Sequence, residues 1–73
     1  MSTGLLWFDD DPKAPLEDKV RKAAAYYRKK FEKAATICLV HPSMHLGDSL
    51  VVDGITVRTW KPVAPNHFWI GEE

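Results

Sequence analysis

Apolar residues recur along this chain with more than one period. Leu5-Leu6-Trp7-Phe8 is a short continuous apolar run, stopped by Asp9-Asp10-Asp11 and Pro12. A run that short between turn residues predicts a buried strand. From Leu16 to about Lys33 the period becomes helical: Leu16, Val20, Ala23, Ala24, Tyr27 and Phe31 recur at steps of three and four and form one apolar stripe. Thr36-Ile37-Cys38-Leu39-Val40 is the most uniformly apolar and β-prone run, closed by His41-Pro42, and it predicts a central strand. Residues 42–48 predict a loop with a helical turn around Ser43-Met44-His45. The runs 49–52 and 55–60 flank Asp53-Gly54, a strong two-residue hairpin signal. In that register Val52 opposes Ile55 and Leu50 opposes Val57 on one face. Val51, Thr56, Arg58 and Trp60 share the other. A proline-bounded connection, 61–66, leads to a last strand at His67-Phe68-Trp69-Ile70, stopped by Gly71.

The helix has the best-marked ends. Pro15 suits the first turn, where its missing N–H is not needed. Glu17 and Asp18 near the start, and Lys30 and Lys33 near the end, complement the helix dipole. Glu17–Arg21, Asp18–Lys22 and Arg28–Glu32 are spaced to pair along its surface. Strand, helix, strand in sequence predicts that the first two strands are parallel, joined by a right-handed crossover, without having to be neighbours. The predicted fold is one small α+β domain over residues 1–73, in the order β-α-β-β-β-β. It has a mixed sheet with one long amphipathic helix packed on one face.

This arrangement raises a question of coverage. The runs 5–8 and 36–40 are apolar on both faces, as in strands buried from two sides. One helix covers one side, and no second long helix exists. Either the hairpin folds over the other face, or a second copy or a protein partner packs there. Homo-oligomerisation or a protein partner is therefore expected, with Trp7, Trp60 and Trp69 as interface candidates because Trp commonly anchors interfaces.

At 73 residues the chain is a single domain with a thin stability margin. Hydrophobic content of 45% and charged content of 27% place it with ordinary globular domains and not with disordered ones. Ten acids balance ten bases, so no global field draws the chain to nucleic acid or an anionic membrane. No run approaches the ~20 apolar residues of a membrane helix, so no membrane partner is expected. Cys38 is the only cysteine, which excludes an internal disulfide and fits a reducing, cytoplasmic setting. No cofactor is implied.

Three groupings carry candidate chemistry. Asp9, Asp10 and Asp11 follow the first strand and His41 follows the central one; if those strands are parallel, both groups lie at carboxyl ends, where open α/β sheets bind ligands. Asp9, Asp10 and His41 would suit a divalent cation or acid–base work on a phosphate ester. The plainer alternative is that the acids solubilise a turn and His41 satisfies a backbone group. Cys38, His41 and His45, with Asp48 or His67 as a fourth ligand, are loosely zinc-like in spacing, but a buried lone cysteine is more often a small hydrophobe. Finally, seven of the ten bases are Lys19, Arg21, Lys22, Arg28, Lys29, Lys30 and Lys33. Arg21, Arg28, Lys29 and Lys33, extended by Arg58, form a candidate nucleic-acid face, against which stand the interspersed acids Glu17, Asp18 and Glu32.

The segments Cys38-Leu39-Val40-His41-Pro42-Ser43 and Pro65-Asn66-His67-Phe68-Trp69-Ile70-Gly71, with the Leu6-Trp7-Phe8-Asp9 opening, resemble those of short uncharacterised bacterial proteins. The resemblance covers most of the chain. It implies a small stand-alone α/β protein and carries no activity or site residue with it. The leading functional expectation is thus a non-enzymatic interaction module that self-associates or packs on a partner. A nucleic-acid-associated protein comes second, and a small metal-dependent hydrolase third.

Overall fold

The computed structural model describes residues 3–45 and 50–73. The elements are β1 (Thr3–Phe8), α1 (Leu16–Phe31), β2 (Ile37–Val40), a 3₁₀ turn (Pro42–Met44), β3 (Leu50–Val52), β4 (Ile55–Thr59) and β5 (His67–Glu72). They build the expected α+β domain: one mixed five-stranded sheet in the order β1-β5-β2-β4-β3, with α1 packed on one face. β1 and β2 are parallel, and β5 lies between them, antiparallel to both. β2 and β4 pair in parallel.

Local chemistry explains the element ends. The hairpin holds the expected register, with Val52 opposite Ile55 and Leu50 opposite Val57. Its turn has positive φ at both Asp53 and Gly54, the conformation that matches the twist of the flanking strands. The helix stops at Phe31, two residues short of Lys33. Glu32 turns left-handed there (φ 58°), and its N–H donates to the Arg28 carbonyl at 2.8 Å, a common way of closing a helix. Pro15 is the residue before the first turn, one place earlier than expected. Gly71 does not end the last strand. It pairs with Gly4 on one side and Ile37 on the other, so ladders on both flanks hold Gly71, and the β1 ladder carries β5 on to Glu72. Ser49 and residues 46–48 lie outside the described residues.

The two faces of the sheet are covered by different means. On the helix side, Cys38, Val40, Val57, Phe68 and Ile70 pack against Val20, Ala23 and Tyr27. On the outer side, Ile37 and Leu39 are sealed by Val63, with Trp69 packed beside them. Val63 arrives there because the 61–66 connection makes two turns in succession. Val63 N–H donates to the Trp60 carbonyl at 3.1 Å and His67 N–H to Ala64 at 3.1 Å. Asn66, left-handed at φ 65°, sits at the turn position after Pro65 that favours such a residue. All four β2 residues are consequently buried.

The cover stops at the margins. Leu6 and Phe8 on β1 remain 61% and 55% exposed, and Val51 on β3 remains 64% exposed. The Trp69 indole partly shields β1 by lying across Gly4, where a Cβ would fall inside the ring. Substituting Gly4→Ala should therefore force the indole off the strand and cost about 1–3 kcal/mol of stability by overpacking. Urea unfolding followed by Trp fluorescence measures this; an unchanged midpoint would show that the ring does not rest there.

Candidate functional site

Asp9 and His41 do lie at the same end of parallel strands, but β5 separates them. Two strand spacings put their backbones roughly 10 Å apart. Each is also engaged locally. Asp9 N–H donates to the Asn66 carbonyl at 2.9 Å. Its Oδ1 accepts the Asp11 N–H at 3.0 Å, and Asp11 Oδ1 accepts the Lys13 N–H at 2.9 Å. These acids fold the connection to α1, as short polar side chains do in turns. Asp10 is exposed. His41 Nδ1 accepts the Ser43 N–H at 3.0 Å and lies 2.8 Å from Ser43 Oγ, capping the 3₁₀ turn. His67, at the start of β5 between them, donates from Nδ1 to the Pro65 carbonyl at 2.9 Å and rests its ring on Phe8. Among the described residues no three His, Cys, Asp or Glu side chains converge as a metal group.

Cys38 points into the core beneath α1, away from His41. Burial pushes its thiol from an ordinary 9.0 up to about 12, so it stays protonated at neutral pH. A protonated, enclosed thiol is neither nucleophile nor ligand. Asp48 lies outside the described residues.

The basic residues divide between two faces. Arg21 does not take Glu17; it pairs with Asp18 at 2.9 Å and with Asp53 at 3.2 Å. That second contact ties α1 to the β3–β4 turn. Arg58 lies across the sheet from α1 and pairs with Glu73 at 3.2 Å, so it cannot extend a patch on the helix. All three pairs are half exposed, and such bridges contribute little stability. Arg28 and Lys29, with Lys33 past the helix end, have no ion-pair partner among the described residues. Arg28 and Arg21 rim a shallow cleft of about 260 Å³, floored by Ala24, Ala25, Ala34, Ala35 and Ile55.

The three tryptophans are dispersed. Trp7 lies on the helix side with its ring 5.0 Å from Tyr26, and its indole N–H is buried with no partner among the described residues. Trp69 lies half-buried on the outer face, and Trp60 is exposed just past β4. The sequence reading passed over Leu6 and Phe8 as interface residues in favour of the tryptophans. The signal was available: in a strand, alternate residues face opposite sides. It also passed over Lys19, which is buried to 6% exposure on the phase of the apolar stripe. Tyr27 was placed on the apolar stripe, but its polar contact was not foreseen. Wholly buried under the sheet, it donates its hydroxyl to Glu72 Oε2 at 3.1 Å, linking α1 to β5. Burial, the hydrogen bond and the Glu72 charge all raise its phenol pKa.

No family model, curated protein or solved structure matches the chain, so geometry alone supports a functional reading. None of the helices among the described residues is long and apolar enough to cross a membrane.

The raised thiol and phenol values make a prediction for alkaline pH. Both groups ionise more readily in the unfolded chain than in the fold. Their contribution is complete below the unfolded values and is lost progressively as pH climbs from those toward the raised folded values. Stability measured by urea titration should fall steadily above about pH 9. In a Cys38→Ala, Tyr27→Phe variant that slope should largely vanish; an equal slope in both proteins would contradict the assignment.

Proposed function

We propose that the chain is a non-enzymatic interaction module that self-associates through β1 and the apolar margin of the outer sheet face. One observation carries the reading: β1 is an edge strand of six residues with no charge and no proline, and it exposes Leu6 and Phe8 beside the half-buried Trp69. Edge strands are usually blunted by brevity, charge or proline, because their free backbone groups recruit other strands. The opposite edge, β3, has three residues among those described. Asp9, Asp11, His41 and His67 at the carboxyl ends each hold a backbone group, a structural use of the residues that a catalytic reading would need.

Sedimentation of the parent chain should show a concentration-dependent dimer. Leu6→Lys should weaken it at least tenfold while leaving the melting temperature of the monomer nearly unchanged, since Leu6 is mostly exposed. A parent that stays monomeric at millimolar concentration would rule the reading out.

A second reading, association with nucleic acid through the helix, is favoured by Arg28, which rims the cleft, and by Lys29 and Lys33, all three without an ion-pair partner among the described residues. If it holds, binding to a mixed-sequence oligonucleotide should fall steeply with salt, and the triple charge reversal of these residues should abolish it. Equal binding by parent and variant would dismiss it.

A further inference from the structure

The pairing of β1 with β5 fixes which backbone groups of the edge remain free. Asp9 N–H donates to the Asn66 carbonyl, and Phe8 is opposite His67. Hydrogen-bonded and non-hydrogen-bonded pairs alternate along an antiparallel ladder. Leu5, Trp7 and Asp9 therefore direct their N–H and C=O groups at β5 and Asn66. Gly4, Leu6 and Phe8 direct theirs outward, to the open edge. These same three residues carry the outer-face positions, paired with Gly71, Trp69 and His67.

Resting on the self-association proposed above, we infer that the occupant of this edge is β1 of a second copy, antiparallel and centred on Leu6. Leu6 then faces Leu6 of the second copy, and Gly4 faces Phe8 in both directions. The two-fold axis runs along the sheet normal. The two sheets become one of ten strands, with both helices on one side. This centre is the one that uses all three free residues, giving six backbone hydrogen bonds. A centre on Trp7 would draw Asp10 into the ladder, and a centre on Leu5 would move Phe8 beyond β1 of the second copy.

Charge and shape select the same arrangement. The strand itself is uncharged, and the acids Asp9-Asp10-Asp11 follow its end. Antiparallel pairing about Leu6 holds the two Asp9 residues about 20 Å apart, at six residues of strand rise. That exceeds the ~8 Å screening length at physiological salt. Parallel pairing would set the acid runs side by side, and would turn the apolar margin of one copy away from that of the other. On the outer face, Phe8 of each copy meets the position opposite Gly4, where no side chain blocks it and the Trp69 indole offers a ring to pack against. The apolar contact is small against a standard interface of roughly 800 Å² per partner, so the dimer is reversible.

Amide hydrogen exchange of the unmodified chain tests this, run with sedimentation across the same concentrations. As dimer forms, exchange at Gly4, Leu6 and Phe8 should slow at least tenfold, while Leu5, Trp7 and Asp9 keep their existing protection. Isotope-filtered spectra of a mixed-label dimer should show an intermolecular contact between the α-protons of Leu5 and Trp7, the close pair of this register. A dimer whose Leu6 and Phe8 amides still exchange freely would overturn the register while leaving self-association standing. Protection without the Leu5–Trp7 contact would mean a different pairing and would overturn it too. A chain that never dimerises would overturn both.

Discussion

A β-sheet has two faces to keep from water, and a single sixteen-residue helix can lie on only one. The rest of this fold follows from how the second face is handled. The chain places β5 between β1 and β2, which sets the aromatic-rich β1 and β5 beside the wholly buried β2. It then folds the 61–66 connection back over β2, where Val63 closes Ile37 and Leu39 away from solvent. Trp69 extends that cover toward β1, and only a glycine at position 4 lets the ring lie flat on the strand. The cover is economical and incomplete. It protects the middle of the sheet and leaves the β1 margin apolar and open.

The polar residues fit the same picture. Four of the candidate acids and histidines are bonded to the fold itself. Asp9 and Asp11 shape the β1–α1 connection, His41 caps the 3₁₀ turn, and His67 holds Pro65. Arg21 fastens the helix to the hairpin turn through Asp53, and Tyr27 fastens it to β5 through Glu72. In a domain this small, each such contact matters because the buried core is limited. What stays unassigned is the Arg28 side of the helix and the uncharged edge of β1, and both are surfaces.

The element order and the helix were legible because their periods are local: steps of three and four from Leu16 to Phe31, and an Asp-Gly turn that fixes its own hairpin register. The parallel relation of β1 and β2 was legible from the crossover rule. The position of β5 between them was not, since strand order depends on pairings distant in sequence. For the same reason Gly71 read as a stop, when flanking strands on both sides hold it in the ladder. The cover of the second face was assigned to the hairpin, a second copy or a partner because a proline-bounded connection carries no periodic signal, yet one Val within that connection supplies it over β2. Asp9 and His41 were rightly assigned to one end of the sheet. The strand that divides them could not be seen from either residue's neighbours.

The central claim is that the chain covers its outer face over β2 and leaves it open over β1. A soluble paramagnetic agent added to a dilute, methyl-labelled sample reads this directly. The account predicts strong broadening of the Leu6 and Val51 methyls, with Ile37, Leu39 and Val63 remaining sharp. Broadening of Leu39 and Val63 to the same degree as Leu6 would contradict it.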